Sequence, residues 1–215
     1  MKIDLHVHSS FSGDSSTSPQ DMIIEAKKKG LDGLAFTDHN MIGAYDRARE
    51  FAEARDFLLI PGVEISTDHG HVLLIGVNDL PASKKFEDVL KFAKDSNAAT
   101  IAAHPFTRTR PGMEKDFVRR TDAVEIINTR TLARCNRKAE EYVRERSLVG
   151  TAGSDAHRKE ELGQVWNEIE AKDWREVVKR IKQGQVTVGG ENPSFSQVLG
   201  SRSRSWIREL KEVFR

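Results

Sequence analysis

Short apolar runs alternate with helix-patterned stretches along almost the whole chain, and this order constrains the fold more than any other feature. Lys2 to His8 reads as a strand. Ser18-Pro19 then opens a helix to Lys29, with serine as the cap, proline in the first position and Gly30 as the stop. Leu34 to Thr37 is a second strand, followed by a helix from Gly43 to Arg55. Phe57 to Ile65 and His71 to Val77 read as strands around an Asp68-His69-Gly70 turn. Lys84 to Asp95 sets Phe86, Val89, Leu90 and Ala93 on one helical face. Further strands are expected at Ala99 to Ala103, Asp122 to Asn128, Leu148 to Gly153, Gln164 to Glu170 and Gln185 to Val188, with helices at Leu132 to Glu145 and Trp174 to Lys182. A β-α-β-α order predicts an α/β chain with a parallel sheet, open or closed into a barrel.

Length and composition narrow the class. With 215 residues the chain is one domain by size and can bury a core without staples. The 34 basic and 33 acidic residues nearly cancel, which excludes a binder of long nucleic acid that works by bulk charge. The single cysteine, Cys135, excludes an internal disulfide and a thiolate zinc finger. No run reaches the roughly 18 apolar residues of a membrane helix, and Asp4 and His6 interrupt any leader-like stretch. A cytoplasmic protein that does not engage membranes is expected. Residues 1–195 form the expected body. Residues 196–215 form an appended basic amphipathic helix, with Trp206, Leu210 and Phe214 spaced four apart.

The chemistry lies where the strands end. In parallel α/β folds, ligands and reactive side chains collect at the C-terminal edge of the sheet. Strand alternation puts Asp4, His6 and His8 on one face of the first strand, a geometry suited to metal. Asp14 follows in a Ser/Gly-rich loop, His39 closes Thr37-Asp38-His39, and Glu64 follows Gly62-Val63. His104 follows Ile101-Ala102-Ala103, and Asp155 and His157 share a face after Gly153. Asp4 aside, these eight groups exceed the ligand set of one tetrahedral ion and predict two or three divalent metals, Zn, Mn or Fe by donor type. A multinuclear centre activates a bridging water and clamps an anionic transition state, the combination that phosphoester hydrolysis requires. The loops of NTP and dinucleotide binding are missing, as is the G-x-S-x-G elbow. Glu141 stands where a cysteine-based phosphatase needs arginine after Cys135.

Five ordered motifs, D-L-H-V-H-S at 4–9, T-D-H-N at 37–40, G-V-E-I at 62–65, A-H-P at 103–105 and G-S-D-A-H at 153–157, resemble the PHP (polymerase and histidinol phosphatase) family. The resemblance implies a distorted (β/α)7 TIM-like barrel with a metal centre at the C-terminal ends of the strands. It implies one metal on His6, His8, Glu64 and Asp155. A second would sit on Glu64, His104 and a further histidine, for which His71 is preferred to His69, and a third on Asp14, His39 and His157. A metal-bridging hydroxide would attack phosphorus, with Asp155 orienting or deprotonating the water. Arg108, Arg130 and Arg158, at strand-end loops, are the candidate phosphate binders. Asp4 and Asp38 are expected to hold imidazole N–H groups.

The leading expectation is hydrolysis of a small phosphorylated metabolite or nucleotide. The alternatives are a 5′-3′ exonuclease or nucleoside 3′,5′-bisphosphate phosphatase, a histidinol-phosphate phosphatase, and a non-enzymatic RNA-binding scaffold subunit.

Overall fold

In the computed structural model, residues 1–107 and 112–202 are described. Arg108 and the amphipathic segment around Trp206, Leu210 and Phe214 lie outside them.

The chain runs β1 (Lys2–Val7), α1 (Pro19–Lys28), β2 (Gly33–Phe36), α2 (Ala44–Glu53), β3 (Leu58–Ile60), β4 (Gly62–Thr67), β5 (Gly70–Ile75), α3 (Phe86–Asp95) and β6 (Ala99–Ala102). It continues through α4 (Lys115–Val118), β7 (Ala123–Asn128), α5 (Ala133–Arg146), β8 (Gly150–Gly153), β9 (Val165–Glu168), α6 (Trp174–Lys182), β10 (Thr187–Gly190) and α7 (Phe195–Arg202). The local signals act as expected. Ser18 Oγ accepts the Asp21 N–H at the start of α1, and Asp173 caps α6 by accepting from the Glu176 N–H. Val177, Val178 and Ile181 are the buried face of α6. No helix among the described residues is long and apolar enough to cross a membrane.

The architecture is mixed α/β and differs from a single parallel sheet. Five strands hydrogen-bond in the order β10-β9-β1-β2-β3, and five more in the order β4-β5-β6-β7-β8. Pairs β1/β2, β2/β3, β6/β7 and β7/β8 are parallel, whereas β4/β5, β5/β6, β1/β9 and β9/β10 are antiparallel. Two physical causes explain the difference. The β4–β5 connection is too short for a crossover, so those strands must run antiparallel. Pro61 splits the expected Phe57 to Ile65 strand, because a residue without an N–H breaks a ladder. The chain therefore leaves the first sheet at β3 and starts the second at β4.

Apolar side chains from both sheets meet in one interior cluster. It takes Ile3 and Leu5 from β1, Ala35 from β2, Ile60 from β3, Leu73 and Ile75 from β5, and Ile101 from β6. The sheets are also stitched where the parallel strands end. The His8 N–H donates to Ala156 O at 2.9 Å and the Asp155 N–H to His6 O at 2.8 Å. On the other flank the Asn40 N–H donates to Glu64 O at 2.8 Å, and the Glu64 N–H to Asp38 O at 3.2 Å. Both stitches run through residues singled out from the sequence, so the sheet junction and the candidate site are one place.

Candidate metal centre

All nine expected ligands converge. Four overlapping groups have donor atoms within 4.8 Å of one another: His8, Asp14, His39 and His157; His6, His8 and Glu64; His6, His104 and Asp155; His39, Glu64 and His71. The contributing strands β1, β4 and β5 each project a ligand themselves, and the loops after β1, β2, β6 and β8 supply the rest.

The deepest set is His6, His8, Glu64 and Asp155, each at most 1% exposed. His6 Nε2 and His8 Nε2 are 3.1 Å apart. Glu64 Oε2 lies 3.5 Å from His6 Nε2 and 3.4 Å from His8 Nε2, and Asp155 Oδ1 lies 3.8 Å and 3.4 Å from the same atoms. A tetrahedral shell with bonds of about 2.0–2.1 Å separates neighbouring donors by about 3.3 Å. The five spacings lie near that value, so His6, His8 and Glu64 suit one small divalent cation, with Asp155 beside both imidazoles. Burying such a set without a cation would leave lone pairs facing one another, a costly arrangement.

The same carboxylate reaches a second set. Glu64 Oε1 is 2.8 Å from His71 Nδ1 and 3.1 Å from His104 Nε2, while Glu64 Oε2 is 2.8 Å from His39 Nδ1. Nearer the surface, Asp14 Oδ2 meets His157 Nε2 at 2.6 Å and His39 Nε2 at 3.4 Å. His69, the alternative to His71, instead stacks on Phe117 with ring centroids 3.6 Å apart.

Charge follows the packing. Burial opposes ionisation of Glu64, but the imidazoles of His39, His6 and His71 hold its carboxyl well below the usual range. Burial also opposes charge on His39, yet Glu64 and Asp14 push it up to about 10. His6 is likewise raised against burial by Glu125, Asp155 and Glu64. His8 is held down by burial and by the neighbouring His157 and His39. Asp14 is held far below its ordinary value, against burial, by His157 and His39. A cation bound here would have to displace the protons that His6 and His39 favour.

Several ring orientations are fixed from behind. His6 Nδ1 faces Glu125 Oε1 at 2.9 Å, His8 Nδ1 faces Ser12 Oγ at 3.0 Å, and His157 Nδ1 faces Asp155 O at 2.9 Å. Each leaves Nε2 toward the centre. His104 and Asp155 are held at φ 33° and 54°, in the left-handed region that non-glycine residues rarely occupy.

Asp4 and Asp38 act differently from expectation. Asp4 Oδ1 accepts the N–H groups of His6 and Ser154, and burial pushes its carboxyl up to about 6. Asp38 accepts from the Ser9 N–H, Ser9 Oγ and Ser12 Oγ. Both brace backbone and hydroxyl groups rather than imidazoles. The imidazole partner is Glu125, which the sequence reading passed over. Its signal was a charged residue in the middle of the apolar run Ala123–Asn128. Of the arginines, Arg130 is 6% exposed on the loop leaving β7. The guanidinium of Arg158 is instead engaged by Glu161 Oε1, at 2.9 Å from Nε and 2.7 Å from Nη2. Cys135 is a half-buried free thiol in α5.

A model of the PHP domain family matches residues 4–209. The chain belongs to the PHP domain family. A 5′-3′ exoribonuclease of Haemophilus influenzae is 42% identical over 212 residues, 97% of this PHP chain and 73% of that protein. An uncharacterized protein of Methanocaldococcus jannaschii is 29% identical over 140 residues, 60% of this chain and 82% of its own. Among solved structures, a two-domain protein of Bacteroides vulgatus that contains a predicted PHP-like metal-dependent phosphoesterase superposes with a TM-score of 0.74 at 22% identity. That match covers 89% of this PHP chain and 65% of the other, and shows a shared fold.

Proposed function

We propose that this PHP domain is a metal-dependent phosphoester hydrolase acting on a nucleotide or another small phosphorylated metabolite. The observation that carries the proposal is the convergence of His6 Nε2, His8 Nε2 and Glu64 Oε2, with Asp155 Oδ1 beside both imidazoles, in a buried cluster of acid–base groups. His6, His8, Glu64 and Asp155 would hold one cation, Glu64, His71 and His104 a second, and Asp14, His39 and His157 a third. When bound, such cations lower the pKa of water and offset charge on phosphoryl oxygens. Asp155, grouped with His6 and His104, would orient the attacking water and take its proton. Arg130, buried beside Asn128, would bind phosphoryl oxygens through its planar fork; Arg108, outside the described residues, is a further candidate from sequence. Arg158 is the weaker candidate, since Glu161 already occupies it.

In this reading the two sheets form the wall of a distorted seven-stranded barrel with appended strands, and residues 196–215 are an appendage to the 1–195 body. Work on a soluble metabolite or nucleotide fits a cytoplasmic protein.

A second reading concerns the substrate. The Haemophilus relative, named a 5′-3′ exoribonuclease, matches over almost the entire chain, which favours the 5′ end of a short RNA. A panel of p-nitrophenyl phosphate, histidinol phosphate, AMP, a nucleoside 3′,5′-bisphosphate and a short 5′-phosphorylated RNA, assayed with added Mn²⁺ or Zn²⁺, separates the readings. Metal-dependent phosphate release from the monoesters alone supports the small-molecule reading, and stepwise mononucleotide release from RNA supports the exonuclease. No turnover of any panel member by chain containing metal rejects both.

A further inference from the structure

Glu125 lies behind the deepest part of the centre, 1% exposed. Its two oxygens are divided between partners. Oε1 faces His6 Nδ1 at 2.9 Å. Oε2 accepts the backbone N–H of His104 at 2.7 Å and the Asn128 side-chain amide at 2.9 Å. That amide nitrogen also donates to Asp155 Oδ2 at 3.0 Å. Its orientation is fixed, because Asn128 Oδ1 accepts from the Arg130 N–H at 3.0 Å and Thr131 Oγ1 at 3.1 Å. One buried carboxylate thus reaches three expected ligands by three routes.

We propose that Glu125 is the positioning residue that sets the metal-binding tautomer of His6 and holds His104 and Asp155 in register with it. The proposal rests on the metal-dependent reading of the site. Both partners of Oε2 are obligate donors, so Oε2 must accept. With the carboxylate ionised, Oε1 accepts as well, and His6 must carry its proton on Nδ1. In the neutral ring that binds a cation, the lone pair on Nε2 then faces His8, Glu64 and Asp155. The hydrogen bond to His104 also supports a backbone held at φ 33°, an otherwise unfavourable conformation. Gly153 leaves room for the arrangement, since a Cβ there would fall on Glu125 Oε1 and His6 Cβ.

The near-isosteric Glu125→Gln variant makes the argument sharp. Its amide oxygen would take the Oε2 side, where two donors wait, and its NH₂ group would face His6 Nδ1. His6 would then have to accept at Nδ1 and carry its proton on Nε2, against the cation. The tautomer is read from ¹⁵N shifts of the His6 ring, metal affinity by titration with Zn²⁺ or Mn²⁺, and folding by thermal midpoint. Expected are a proton moved to Nε2, metal binding weaker by about 10- to 100-fold, and a fold retained. Unchanged affinity, or weakened affinity with the proton still on Nδ1, overturns the proposal. If the variant does not fold, the wild-type chain loaded with Zn²⁺ decides: coordination through Nε2 with a protonated Nδ1 supports it, and coordination through Nδ1 overturns it. These readouts require no substrate. A loaded wild-type chain that hydrolyses no phosphoester would end the enzymatic reading while leaving the role of Glu125 to the spectra.

Discussion

The floor and the mouth of the centre are built from the same residue types in different surroundings. At the floor, His6, His8, Glu64, His104 and Asp155 are 0–2% exposed, and buried partners reach several of them from behind. At the mouth, the side chains of Asp14 and His39 are 33% and 29% exposed. Floor donors are preorganised by packing, so binding there costs little ordering and a bound ion exchanges slowly. Mouth donors are wetter and sit partly on the loop after β1, so an ion there is the easier one to lose. The difference teaches that one cluster of histidines and carboxylates can hold ions of unequal permanence.

The largest effect should come from the floor. His6→Ala or Glu64→Ala should abolish hydrolysis and remove at least one metal by elemental analysis while the chain still folds; full activity in either variant would disprove the site. Asp14→Asn or His39→Ala should act less drastically. The mouth ion should be lost, the floor ion kept after dialysis, and turnover reduced on the order of 10²-fold, the scale of losing one charge-stabilising group. Equal metal loss from floor and mouth variants would erase the distinction.

Proton counts sharpen it further. His39 keeps its proton to about pH 10 in the metal-free chain. An ion held by its ring must expel that proton at neutral pH. Calorimetric titration in buffers of different ionisation enthalpy should therefore show proton release on metal binding, smaller in His39→Ala. At the floor, Asp4 supplies a stability signature. Burial pushes its carboxyl in the folded chain up to about 6 from an ordinary value of 3.8. The folded metal-free chain thus binds more protons than the unfolded chain between these limits. This contribution is fully present below about pH 3.8 and is lost as pH rises through 6, a swing of roughly 3 kcal/mol. Denaturant titrations across that window should show Asp4→Asn losing most of this slope relative to wild type.

Much of the centre is legible in sequence because its ligands obey strand arithmetic. His6 and His8 share a face at a spacing of two, and His39, His104 and Asp155 fall just beyond strand ends, while Glu64 stands inside β4. The sheet topology is less legible. Phe57 to Ile65 reads as one apolar run, and only the broken ladder shows Pro61 passing the chain from one sheet to the other. The antiparallel pairing of β9 with β1 depends on long-range packing that no local pattern encodes. Glu125 is hidden for a similar reason. A charge within a strand declares that a partner exists, but its partner His6 lies 119 residues away. Asp4 and Asp38 were recognised as important, yet their backbone partners depend on loop shapes that spacing does not fix.

The smallest expected effect concerns Arg158. Its guanidinium is 40% exposed and pairs with Glu161 three residues on, and Glu161 Oε2 also accepts the His157 N–H at 2.9 Å. The arginine end of the pair is exposed and screened by water although Glu161 is buried, so the pair contributes on the order of 1 kcal/mol. Because the His157 N–H bonds the other carboxylate oxygen, it survives loss of the arginine. Arg158→Ala should therefore lower the thermal midpoint slightly, leave metal content unchanged and alter kcat/KM by less than about fivefold. Arg130→Ala should raise KM or lower kcat far more at equal metal content, since phosphate binding is the role proposed for this buried arginine. If the two variants change places in that ranking, Arg158 leaves Glu161 when substrate binds, and the mouth closes on its substrate through that exchange.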